Sequence, residues 1–293
     1  MDGNFKMAPT MFLQLYVIRA KLDGGSISCV YALLTNKSGQ IYQRMMIAIM
    51  QRCYAIGAFP APTSVKVDFE MAMHNALRAI FGPLIGIDGC FFHLCGNTWK
   101  HLQELGLTVF YRANYQAKKF VGMMDGLAFL PVQDLQAGVA IVRQELPHQS
   151  FLPLLDYFLS TYVGVMVVNG NGQQVFQQPL FPPQTWNVHN ITLNGGDRTN
   201  NVCEGWNNGF KSKVGDIHHP PVYRLIEGLQ TDYAEVKTNL LQSQNGVPLR
   251  VKTKRAYRNY QASCLRYCQQ YQRGVYGNNI RGFLTDISHG IRF

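Results

Sequence analysis

The sequence predicts a mixed α/β fold interrupted by an all-helical block. Three observations predict it. Short β-branched and aromatic runs alternate with helical patterns through the first third of the chain. From about Thr108 to Val167 only helical periodicity remains, and a second group of helical patterns follows the loop beyond it.

The first two runs, "PTMFLQLYVIRAK" and "SISCVYALLTN", flank the Gly-rich turn "LDGGS" and read as an antiparallel hairpin. "KSGQIYQRMMIAIMQRCYAIG" starts from a Ser cap and repeats apolar residues at helical spacing until Gly57. "TSVKVDFE" reads as a short strand, "EMAMHNALRAIFG" as a helix closing at Gly82, and "LIGIDGCFFHL" as a strand turning into the helix "NTWKHLQELG". "QAKKFVGMMDGLAFL", "VQDLQAGVAIVRQEL" and "SFLPLLDYFLSTYVG" form the helical block, punctuated by Pro131, Pro147 and Pro153. "VNGNGQQVFQQPLFPPQ" is expected to be a flexible loop. Helices follow through "NNVCEGWNNGFKSKV" and "PVYRLIEGLQTDYAEVKTNLLQ". The last segment is rich in Lys and Arg, with Asp286 its single acid and tyrosines interleaved.

Composition narrows the function. A chain of 293 residues with 47% hydrophobic and 15% charged residues buries a sizeable core and is not expected to be disordered. A net charge of +10 suits a polyanionic partner, nucleic acid ahead of an anionic membrane face. Seven cysteines without regular spacing suit reduced intracellular thiols. The most apolar stretch, "FLPLLDYFLSTYVGVMVV", is broken by Pro153 and Asp156, and no targeting signal or membrane span is expected. No G-x-S-x-G elbow, P-loop or Rossmann glycine fingerprint is present, which removes support for hydrolase, NTPase and dehydrogenase chemistry.

Asp68 stands where the strand "VKV" gives way to a helix. By position alone it caps the helix that begins near Glu70, since Asp is a favoured N-cap; a strand-end carboxylate in an α/β sheet also points into the ligand crevice. Asp2 precedes an extended segment, and Glu204 lies within a helix, with Asn208 and Lys211 four and seven residues on. Carboxylates gathered in this way hold Mg²⁺ or Mn²⁺, and a pair of such ions suits in-line phosphoryl displacement.

The blocks "DGNFKMAPTMFLQLYVI", "VYALLTNKSGQIYQ", "VKVDFEMAMHNAL", "GCFFHLCGNTWKHLQELGL" and "DRTNNVCEGWNNGF" resemble, in order, those of Mutator-like element (MULE) transposases, over most of residues 2 to about 240. The resemblance implies a DDE transposase with a ribonuclease H-like mixed sheet interrupted by a helical insertion. It implies Asp2, Asp68 and Glu204 as the three acids holding two Mg²⁺ or Mn²⁺ ions, and it maps the family's Cys and His pair onto Cys90 and His93. Those two could also donate half of a zinc site, although a packed Cys and a satisfied His explain them more simply. Lys211, Lys213, Lys252, Lys254, Arg255 and Arg258 are the candidate DNA contacts, the last four beside tyrosines able to stack on bases.

The expected organisation is a first part of the catalytic core over 1–107, a helical insertion over 108–190, core-completing helices with Glu204 over 191–248, and a basic C-terminal tail over 249–293. Asn4 stands where the family reads Thr, and Asn207 where it usually reads His. Asp2 would end a central strand of about five residues, so the first strand is expected to be truncated, and the family's N-terminal DNA-binding module is not in the sequence. Two functions follow as expectations: a nuclear, homo-oligomeric transposase that cleaves and joins DNA, or a domesticated, non-catalytic DNA-binding or chromatin-associated protein.

Overall fold

The computed structural model describes residues 1–249 and 255–292. The fold is mixed α/β, with small sheets among many helices. The chain divides into two compact units, Met1–Asp88 with Asn200–Lys252, and Gly89–Thr199 with Thr253–Phe293. Among the described residues no helix is long and apolar enough to cross a membrane.

The first unit begins with β1 (Asp2–Asn4), β2 (Gln14–Leu22) and β3 (Gly25–Leu34), an antiparallel sheet in that order. Asp2 faces Val17 and Asn4 faces Leu15, while Tyr16 faces Ala32 in the hairpin. The hairpin turns at Asp23 and Gly24, both at positive φ, a conformation Gly adopts without steric cost. Then come α1 (Gly39–Ala55), β4 (Ser64–Val67), α2 (Met71–Phe81) and β5 (Gly86–Gly89). Ser38 caps α1 as expected, its Oγ accepting from the Ile41 amide at 3.3 Å. Strands β4 and β5 pair, with the Gly86 amide donating to the Thr63 carbonyl and Lys66 beside Asp88.

The second unit contains α3 (Phe91–Glu104), α4 (Thr108–Ala113), α5 (Tyr115–Gly126), α6 (Leu135–Gln144), α7 (Leu152–Phe158), the hairpin β6 (Val165–Val168) and β7 (Gln174–Gln177), α8 (Pro183–Trp186) and α9 (His189–Leu193). The flexible loop expected from "VNGNGQQVFQQ" is therefore in part a hairpin. Asn169 makes it: its Oδ1 accepts from the Asn171 and Gln173 amides, a side chain standing in for turn backbone. The chain returns to the first unit with α10 (Asn201–Lys213) and α11 (Val222–Gln244), and to the second with α12 (Arg255–Gln272) and α13 (Ile280–Arg292).

Strand alternation builds the first unit's core. Tyr16 and Leu34 turn toward α1 and α2, into a cluster with Tyr42, Met46, Val67, Met73 and Leu77. Leu15 and Val17 turn the other way, against Cys203, Trp206, Phe210 and Leu225 of α10 and α11. Successive residues of β2 thus serve opposite layers, as a period of two requires. The sheet lies between two helical layers, with each fully buried aliphatic side chain contributing about 1.5–3 kcal/mol.

The second unit has an aromatic core around Phe120, Phe129, Phe151, Phe158 and Trp186, whose indole donates to the Tyr162 carbonyl at 2.7 Å. Helix α13 seats on α5 at Gly122 and Gly126. Arg198, almost wholly buried, lies between the rings of Phe129 and Tyr260 and bonds Gln261 at 2.5 Å.

Candidate active site

Two of the expected acids meet at the end of the first unit's sheet. Asp2 opens β1 and is buried; Asp68 follows the last residue of β4. The amino group of Met1 donates to the Lys66 carbonyl at 2.8 Å, which lays the start of β1 beside β4. Both carboxylates consequently line one pocket, together with Gly3, Gln14, Tyr16 and Glu70.

Asp68 does not cap α2. Glu70 occupies the N-cap position and makes no side-chain cap bond, so the reading of Asp68 as a cap is corrected. The chain bends out of β4 one residue before it and re-enters a helix three residues later, leaving the capping geometry to Glu70. The Asp68 carbonyl is held instead by His74 Nε2, at 2.8 Å. Burial lowers the His74 pKa, the bond to Asp68 opposing it, so the ring is neutral near pH 7 and donates from Nε2.

Helix α10 reaches the same place from the opposite layer. Asn200, its N-cap, donates from Nδ2 to the Met1 carbonyl at 3.0 Å, and Asn207 donates from Nδ2 to Asp2 Oδ2 at 2.8 Å. Residues seven apart share a helical face, and Glu204 falls between these two on that face. It also sits in the first turn of α10, where a carboxylate meets the positive end of the helix dipole. Trp206, with its ring 6.0 Å from that of Tyr31 in β3 and its indole bonded to Asp232 of α11 at 2.9 Å, holds the helix to the sheet and to α11. Among the described residues, the ligand oxygens of Asp2, Asp68 and Glu204 do not form a group lying mutually within 4.8 Å. The structure therefore brings Asp2 and Asp68 into one pocket and places Glu204 on the helix face bonded to β1.

The surrounding charges converge on this pocket. Burial raises the pKa of the Tyr16 phenol well above its ordinary value, and Tyr42, Asp68, Asp2 and Glu70 raise it further. A chain of bonds supports the pocket floor: Gln14 Nε2 donates to the Tyr42 hydroxyl at 3.0 Å, that hydroxyl donates to Glu70 Oε2 at 2.6 Å, and Lys37 pairs with Glu70 Oε1 at 3.0 Å. Gln14, Glu70, His74 and Asn207 were not expected as site residues. Glu70 and His74 lie near Asp68 in sequence, but only the folded geometry shows that Glu70 lines the pocket and that His74 Nε2 meets the Asp68 carbonyl.

Oxygen donors of this kind suit a hard cation. Asp2, Asp68 and Glu204 offer oxygen alone, and Asn207 Oδ1 is buried beside Asp2 with no hydrogen-bond partner, leaving one more oxygen lone pair there.

The other expected residues are distributed as follows. Cys90 is the buried N-cap residue of α3 and His93 lies in its first turn, with ligand atoms within 4.8 Å of each other. Lys211 pairs with Asp216 at 3.7 Å. Lys213 is mostly covered and pairs with Asp232 and Glu235, each at 2.6 Å. Arg255 and Arg258 are exposed on α12; Lys252 and Lys254 lie outside the described residues. Cys264 and Cys268 are buried in packing.

Comparison with known families now bears on this arrangement. Residues 1–97 match the family model of the MULE transposase domain. The first third of the chain is similar to the MULE transposase domain. The matched stretch contains Asp2, Asp68, Cys90 and His93, and Glu204 lies beyond it. No curated protein and no solved structure matches the chain. The matched segment supplies the sheet and two pocket acids of the first unit, and α10 is bonded to one of them through Asn207.

Proposed function

We propose that this chain is the catalytic region of a DNA transposase, cleaving and joining DNA strands with Asp2, Asp68 and Glu204 as ligands for two Mg²⁺ or Mn²⁺ ions. The observation that carries the reading is the meeting of Asp2 and Asp68 in one pocket within a MULE segment, with Asn207 of α10 bonded to the Asp2 carboxylate. The Met1 to Lys66 bond, together with the pairing of β1 with β2, supports a ribonuclease H-like strand order, β3-β2-β1-β4-β5. In this reading the second unit corresponds in the main to the family's helical insertion.

When bound, the ions would activate a water or 3′-hydroxyl and stabilise the leaving oxygen of the phosphodiester. The chain's own residues orient the ligands. Asn207 fixes one Asp2 oxygen, while His74 fixes the backbone at Asp68. Glu204 lies on the same face of α10 as Asn207 and would supply the third ligand from that helix. The net charge of +10 and exposed Arg255 and Arg258 favour DNA as partner. A nuclear location and assembly into a homo-oligomer belong to the same proposal.

The test is Mn²⁺ binding by calorimetry, with nicking of duplex DNA, by this chain and by Asp68→Asn. Metal binding and nicking both lost in the variant support the reading. Nicking that persists in Asp68→Asn rejects the ligand assignment, and DNA binding without metal binding in either protein identifies a non-catalytic, domesticated DNA-binding role.

A further inference from the structure

The edge of the first unit's sheet has the makings of a docking surface. Strand β3 ends the order β1-β2-β3, so one side of its backbone has no strand partner among the described residues. Soluble proteins protect such edges with Lys, Pro, short strands or bulges. Strand β3 runs for ten residues, GSISCVYALL, without a charge or a proline. Its register with β2 shifts once, between the Ile18–Val30 and Arg19–Ser28 pairs, leaving Val30–Leu34 as a regular edge.

That edge opens into a groove whose far wall is α1. Ile41, Ile49 and Ile56 give the wall an apolar strip, and Arg44, Ala48 and Arg52 follow at four-residue spacing along it. Arg44 and Arg52 are exposed, and neither has an ion pair among the described residues. The sequence contains no acid between Asp23 and Asp68. The groove therefore combines an unpaired backbone edge, an apolar wall and uncompensated positive charge.

We infer that this groove receives an extended peptide segment of another protein, paired in β fashion with Val30–Leu34, with apolar and acidic side chains on the side that faces α1. Backbone bonding supplies affinity, and the side chains that face α1, every second one of the peptide, supply selectivity, apolar ones at the isoleucine strip and acidic ones at Arg44 and Arg52. A second copy fits less well, because pairing β3 with β3 sets two acid-free, arginine-bearing helices against each other. Nucleic acid satisfies the arginines but not the isoleucine wall or the strand edge.

The experiment is fluorescence anisotropy of the whole chain with a labelled synthetic peptide in which threonine alternates with valine and glutamate taken in turn, so that one face carries both. Its valine and lysine counterpart and a short DNA duplex serve as competitors. The glutamate peptide binds, and hydrogen exchange slows at Val30–Leu34. Combined Arg44→Glu and Arg52→Glu substitution weakens it about tenfold or more, as loss of close charge pairs implies, while Ile56→Asp, at an exposed position, weakens it through the apolar strip. Equal binding of the lysine peptide, displacement by the duplex, no binding at all, or a concentration-dependent dimer that Ile56→Asp abolishes would each overturn the inference.

Discussion

Asn207 Nδ2 donates to Asp2 Oδ2 at 2.8 Å, across 205 residues of sequence. The bond ties the helix that carries Glu204 to the strand that carries Asp2. Asn207→Ala leaves a buried carboxylate oxygen without its donor, at a cost of about 1–3 kcal/mol. Under the proposed chemistry, strand cleavage falls about tenfold or more, while the fold, followed by circular dichroism, persists. A cleavage rate equal to that of the parent protein would detach Asn207 from the reaction.

A second prediction concerns acid stability. Asp232 accepts from Lys213 and Trp206 and from the Tyr31 hydroxyl. Burial raises its pKa, but these bonds outweigh burial and bring the net value below the ordinary one. A carboxylate whose folded pKa is depressed contributes stability that is present above its unfolded pKa, about 3.9, and lost as pH falls through the folded value. Asp232→Asn therefore lowers stability at pH 7 by about 2–4 kcal/mol and flattens the acid limb of the curve. Chemical denaturation from pH 7 to pH 3 measures both effects.

Much of this arrangement is legible in the sequence where its cause is local. The hairpin shows in the alternation of "LQLYVIRAK", and α1 shows in the Ser38 cap and the spacing of Met45, Met46 and Met50. The β6–β7 hairpin is not legible, because all four residues of β7 are exposed and carry no apolar rhythm. Its turn rests on one Asn side chain within a run that reads as loop. Asp68 is ambiguous because Asp, whether one or three residues before a helix, satisfies the same local pattern. Asn207 could be seen only as a departure from a family pattern, since its partner is fixed by the docking of α10 on β1.

His74 gives a third prediction. Burial lowers its pKa while its Nε2 donates to the Asp68 carbonyl. Below the unfolded value of about 6.5 the unfolded chain binds a proton that the folded chain does not, so stability declines as pH falls from there toward the folded pKa. His74→Gln removes a titrating group and flattens this slope. An unchanged slope between pH 7 and pH 5 would assign the dependence to another residue.

A fourth prediction tests the pocket floor. A Cβ on Gly3 would lie 2.0 Å from Gln14 Oε1, and Gln14 is buried and bonded to Tyr42. Gly3→Ala must displace that carboxamide and loosen the Tyr42 to Glu70 link beyond it. Overpacking of this kind costs about 1–3 kcal/mol. Thermal melting checks the loss, and combining Gly3→Ala with Gln14→Ala, which makes room, restores part of it if the clash is the cause.

The last prediction concerns the C-terminal helices. In the second unit a Cβ on Gly122 would lie 2.8 Å from Ser288 Cβ and 3.1 Å from the Ser288 carbonyl oxygen, and one on Gly126 would lie 2.5 Å from Ile287 Cγ2. The two glycines, one turn apart, are the seat on which α13 approaches α5 at close range. Leu284 and Ile287 are wholly buried there. The carbonyl at Gly122 is backbone and cannot rotate away, so Gly122→Val must lift α13 and expose those side chains. Stability of the second unit falls by about 2–5 kcal/mol, the range for losing a large buried apolar contact, and limited proteolysis cuts between α12 and α13 earlier than in the parent chain. An unaltered cleavage pattern would mean that α13 is a dispensable appendage, and Gly122→Val would then leave the melting temperature where it was.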